Sequence, residues 1–118
     1  MGSTALTPEQ ALEHLAELSS DVRVAVLVDQ GGAPAASFPP EGPVGERLGE
    51  LTQGLLATAD GAAGGRVGEV EVATPGGAVF VSRDHRWSLA VVAHRFALSS
   101  LMRYDLRRIL VDLDASTR

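Results

Sequence analysis

Four groups of residues in this 118-residue chain have the side chains that chemistry uses. Glu69 and Glu71 stand two apart in "RVGEVEVAT", so on a strand their carboxylates share one side and could form an acid–base pair. Strict alternation with Val70 and Val72 points instead to a solvated face. His14, His85 and His94 are spread over a helix, a turn and a strand end, without the spacing of a metal site. Ser99 and Ser100 lack the G-x-S-x-G elbow that presents a nucleophile, and read as the first turn of the last helix. "GAAGGRVG", Gly61 to Gly68, looks like a phosphate loop. It lies between a helix and a strand, the reverse of the order that aims a helix N-terminus at a phosphate, and the chain has no lysine to reach one. With no cysteine, thiolate metal sites, disulfides and thiol nucleophiles are excluded. The expectation is no catalytic residue, no cofactor and no metal.

Composition narrows the partners. All ten basic residues are arginine and the formal charge is −5; an acidic surface repels phosphate backbones, so no nucleic-acid partner is expected. "MGSTALTPEQ" has no basic segment followed by an apolar run, Leu6 stands where myristoylation wants Ser or Thr, and the apolar stretches are too short to span a bilayer. These features lead to the expectation of a cytoplasmic protein without a membrane partner. The length suits one domain, 1–118, with its core at about 8–113.

The elements follow from local signals. Thr7, Pro8 and Gln10 open a helix with a capping box, and its apolar stripe is Ala11, Leu12, Leu15 and Leu18, with Glu9, Glu13 and Glu17 opposite. "DVRVAVLVD" is apolar on both faces in its middle, as a central strand is. "DQGG" turns the chain into "APAASF", which Pro34 assigns to a sheet edge. After "PPEGP", a helix from about Gly45 runs to a stop at Gly61, Gly64 and Gly65. "RVGEVEVAT", "GAVFVSR" and "WSLAVVAH" form three strands with short connections, an antiparallel meander whose last strand lies inside the sheet. A final helix, roughly Ala97 to Leu113, is expected to bury Leu98, Met102, Leu106, Ile109 and Leu113. The order is α-β-β-α-β-β-β-α.

Two helix faces exceed what a core requires. In the middle helix Val44, Leu48, Leu51, Leu55, Ala59 and Ala62 share a stripe, flanked by Gly45, Gly49, Leu56 and Ala63. That stripe is wider than the roughly 100° a helix needs to cover one layer. In the last helix Tyr104, Arg107, Arg108 and Val111 project away from the apolar stripe, and Tyr and Arg are residue types enriched at protein interfaces. They are expected as a partner surface, although Arg108 can equally pair with Asp112 along the helix.

With "ALEHLAEL", "VAVLVDQGG", "GERLGELTQGLLATAD", "GEVEVATPGGAVFVSRD" and "LAVVA" in this succession, the chain resembles the Roadblock/LC7 family from Pro8 to Leu113, in particular its bacterial members. It departs from the family at "FPPEGP" and at "HRFALSSL". The resemblance implies an α+β fold of profilin-like architecture, with a five-stranded antiparallel sheet, the middle helix on one face and the terminal helices on the other. It also implies a homodimer in which middle helices pack antiparallel and third strands pair edge to edge. That interface would use Gly45, Leu48, Gly49, Leu51, Thr52, Leu55, Val70 and Val72, with the glycines permitting close approach of the twin helix. The family implies a non-enzymatic platform that regulates or scaffolds Ras-like small GTPases or other signalling proteins. A PAS-like small-molecule sensor is the alternative, and an enzyme with an unmarked active site a third possibility.

Overall fold

The computed structural model describes residues 6–94 and 97–116. Helix α1 spans Pro8–Leu18 and opens with the expected capping box: the Gln10 amide donates to Thr7 Oγ1 at 3.1 Å, and the Thr7 amide donates to Gln10 Oε1 at 3.0 Å. Strand β1, Val22–Val28, turns through Asp29, whose carboxylate accepts the amides of Gly31 and Ala33, into β2, Pro34–Phe38. Gly32 supplies the positive φ of that turn, 87°. Helix α2, Val44–Ala63, stops at Gly64 in the left-handed conformation. Strands β3, Glu69–Thr74, β4, Gly77–Arg83, and β5, Ser88–His94, lead to helix α3, Ser99–Ser116.

The sheet runs β2-β1-β5-β4-β3 with every neighbouring pair antiparallel, and Pro34 lies on the edge strand as expected. One face carries α1 and α3 over a core that includes Leu12, Leu15, Leu27, Phe80, Leu89, Met102, Leu106 and Ile109. The other carries α2, whose Leu48 and Leu56 pack on Val26, Val28, Val81 and Ala90. The expected order and layering are both present.

Two local expectations are corrected. Leu98 is not buried by the last helix. It precedes Ser99, caps the first turn by accepting the Met102 amide at 2.9 Å, and is 68% exposed. The buried stripe of α2 is also rotated from the one expected: it is Gly45, Leu48, Gly49, Thr52 and Leu56, while Val44 and Leu51 stand outside. The glycines are the cause. A Cβ on Gly45 would lie 2.5 Å from Ser37 Cβ, and one on Gly49 3.4 Å from Pro34, so the helix lies close on β2 along its glycine side. The close approach is thus to a strand of the same chain. Thr52 tolerates burial because its hydroxyl donates to the Leu48 carbonyl at 2.7 Å.

A polar knot fixes the far end of α2 to the sheet. Asp60 accepts the Val67 amide at 2.9 Å and pairs with the Arg83 guanidinium, while Arg83 Nε donates to the Val67 carbonyl at 2.7 Å. The knot holds the entry to β3 against the end of β4. The Arg83 bond, followed by the Val67 amide, holds the Asp60 carboxyl below its ordinary value of 3.8.

Three substitutions test this packing. Gly45→Ala is expected to cost about 1–3 kcal/mol in urea unfolding, because Ser37 Cβ cannot rotate away. Gly54→Ala, with nothing within 4 Å of its added carbon, is expected to stabilise by about 0.5–1 kcal/mol. A carboxyl whose folded pKa is depressed stabilises fully above its unfolded value and loses that contribution as pH falls through the folded one. Asp60→Asn should therefore lower the thermal midpoint at neutral pH, with a gap that closes in acid below 3.8; a gap independent of pH would exclude the ionised pair as its source.

Candidate functional site

The described surface offers two candidate regions, one on each side of the sheet. On the α2 side the helix lies mainly over β1 and β2 and less over β5 and β3. The sheet-side apolar residues left partly open include Val24, Val67, Val70, Val79 and Val92, with Leu55 packed beside them and Leu51 49% exposed on the helix above. Val72 pairs directly with Val79 and so shares this face. Of the residues expected at a homodimer interface, Leu51, Leu55, Val70 and Val72 therefore border one open apolar surface. Gly45, Leu48, Gly49 and Thr52 lie beneath the helix against its own sheet.

The edges of the sheet differ in a way that matters here. β2 is five residues long, starts with Pro34 and is followed by Pro39 and Pro40, so it is poorly suited to accept another strand. β3 has six residues without proline and pairs only with β4. Its outer backbone groups form an open ladder.

On the other side, α3 lies over β4 and beside α1. Glu69 and Glu71 pair with Ser82 and Phe80, so they stand on the face that carries α3, where Glu69 is half-buried and Glu71 stays exposed to solvent as expected. Ser99 Oγ donates to Glu71 Oε2 at 2.7 Å, and Arg107 lies 3.6 Å from Glu69 Oε2, an atom otherwise buried. The two carboxylates are thus engaged by α3 separately. No sequence signal marks these ties, because the partners are 28 and 38 residues apart and meet only once β4 and β5 have folded back between them. Arg107, Glu69, Leu110 and Val111 help to line an open groove of about 490 Å³. Of the expected partner surface, Tyr104 is 55% exposed, and Arg107 and Arg108 remain mostly exposed while reaching Glu69 and Asp112. Asp105, on the same helix, is buried, and desolvation pushes its carboxyl pKa up.

The histidines do not converge. His94 pairs with Gly77 and its amide donates to Asp21, at the opposite end of the β4–β5 hairpin from His85, which lies 3.3 Å from Asp114. Among the described residues no cluster of three His, Cys, Asp or Glu side chains is placed to hold a metal ion, and no helix is long and apolar enough to cross a membrane.

No protein-family model and no curated protein matches the sequence. Solved structures do match the fold. A Roadblock/LC7 domain from Streptomyces avermitilis superposes with a TM-score of 0.83 at 21% identity, covering 92% of this chain and 96% of that one. The gliding protein MglB of Thermus thermophilus gives 0.74 at 20% identity, over 91% and 85%. Myxococcus xanthus MglB gives 0.67 at 17%, over 90% and 87%. Element order, sheet topology and these likenesses agree, and the fold of this chain is that of the Roadblock/LC7 domain.

Proposed function

We propose that this chain is a homodimeric, non-catalytic interaction module of the Roadblock/LC7 kind that regulates or scaffolds a Ras-like small GTPase. The observation that carries the reading is the open apolar surface on the α2 side: an exposed Leu51 and a partly open Leu55 beside half-covered valines at a proline-free sheet edge. A second copy supplies both missing elements at once. Its α2 covers Leu51 and Leu55, and its β3 pairs with β3 about a twofold axis, extending the sheet past Val70 and Val72. Gly45, Leu48, Gly49 and Thr52 support that interface from below, by setting how α2 sits on its own sheet.

A dimer of this kind acts on a GTPase by differential affinity. Binding one nucleotide state better than the other shifts the GTPase toward it, and requires no catalytic group on the regulator. The likeness to two MglB proteins and to a Roadblock/LC7 domain supports this reading over a ligand sensor.

The test is light-scattering mass of the wild type and of the Leu51→Glu, Leu55→Glu double variant, with circular dichroism to confirm folding. The expected result is a wild-type dimer and a folded monomeric variant. A monomeric wild type, or a variant that stays dimeric, overturns the interface. A wild-type dimer that binds candidate GTPases equally in both nucleotide states would overturn the regulatory part, since equal affinities shift nothing.

A further inference from the structure

The α1–α3 layer, on the other side of the sheet, is chemically self-complementary. Apart from Val44 and Leu51, every large apolar side chain exposed among the described residues belongs to this layer, with Leu101, Tyr104 and Val111 on α3. Its charges are segregated. Glu9, Glu13 and Glu17 are all exposed on α1, which carries no arginine, whereas Arg103, Arg107 and Arg108 are all exposed on α3. α3 also carries Asp105, which is buried, and Asp112 and Asp114, which are half-buried, so only its exposed charges are basic; α1 lies over β1 and β2 and α3 over β4, and the exposed acids of α1 thus lie beside the exposed arginines of α3.

We propose that this layer is a surface for a second copy of the chain, with α3 of each copy seated on α1 of the other. The geometry follows from the fold. α1 reverses into β1 and α3 reverses out of β5, and these strands are antiparallel, so the two helices run in opposite directions. Turning one layer onto another about an axis parallel to the helices places the arginines of each α3 on the glutamates of the facing α1, twice per contact. Turning it about the perpendicular in-plane axis sets like charge on like charge. Glu9, Glu13 and Glu17, like Arg103 and Arg107, recur every fourth residue, about 6 Å along a helix, so the charges match in register. Local pairing of Arg107 with Glu69 and of Arg108 with Asp112 leaves donors in use on one side only, because a guanidinium has five. The apolar side chains of α3 supply the dehydrated part of the contact. This contact is independent of the α2 side and does not rest on the dimer proposed there.

The test is charge exchange read by sedimentation velocity, with and without the Leu51→Glu, Leu55→Glu pair, so that each side of the sheet is read separately. One variant carries Glu13→Arg and Glu17→Arg, the other Arg103→Glu and Arg108→Glu, and circular dichroism confirms that both fold. Wild type is expected to associate through this face, each variant alone to associate at least roughly tenfold more weakly, and an equal mixture of the two to regain association. The first variant moves the net charge from −5 to about −1, so charge alone would make it associate more strongly. Its weakening is therefore specific to the proposed contact. Unchanged mass in both variants, stronger association of the first, or a mixture that regains nothing overturns the proposal.

Discussion

The structure turns on a mismatch between the width of a sheet and the width of a helix. Five strands about 4.8 Å apart span about 19 Å, and a packed helix covers about 10 Å. Two helices therefore roof the α1–α3 side, and the core beneath them contains the largest buried side chains, Phe80, Leu12, Leu15 and Met102 among them. One helix cannot roof the other side. Gly45 and Gly49 let α2 lie close on β2, and the valines left partly open, Val24, Val92, Val79 and Val72, form a row across β1, β5 and β4 that ends at β3, where the sheet edge is also open. An apolar surface of that kind beside an unpaired strand is what a second subunit removes.

That arrangement needs β3 to be held firmly while its outer edge stays free. The Asp60–Arg83–Val67 knot ties its entry to α2 and β4, and Arg107 and Ser99 hold Glu69 and Glu71 from α3. Each tie uses a side chain that, read singly, resembles chemistry. Their partners show that these groups position a strand. Asp60 and Arg83 serve the fold by the same charge-assisted bonding that an active site would use on a substrate.

What the sequence reveals follows how local the determining interaction is. The α1 start was legible because a capping box is closed within four residues, and the meander because its turns and alternation are short-range. The α2 stripe was legible as apolar but not as oriented. Hydrophobic spacing favoured Leu51, whereas the contact of Gly45 with Ser37, eight residues and one turn away in the chain, rotates the helix. Leu98 fits the helical period yet precedes the helix, so its spacing carried no burial. Glu69 and Glu71 read as solvent-facing because alternation separates two faces without saying what covers either one. Here α3 partly covers Glu69 and reaches Glu71 with one hydrogen bond while leaving it exposed, and no spacing rule within β3 encodes α3.

The two sides of the sheet also differ in how strongly they can hold a partner. The α2 side is formed by Leu51, Leu55 and valines with an open backbone ladder, so covering it releases water from apolar surface and satisfies directional bonds, the signature of a durable contact. The α1–α3 side mixes Tyr104 and Val111 with exposed charges, some already paired within the chain, and such pairs are worth little until they are dehydrated. An association built there is weaker, screened by salt and readily exchanged. In the proposed dimer, joining subunits on the α2 side would keep the α1–α3 side available, and it is that side whose contacts would respond to salt, concentration and competing acidic surfaces.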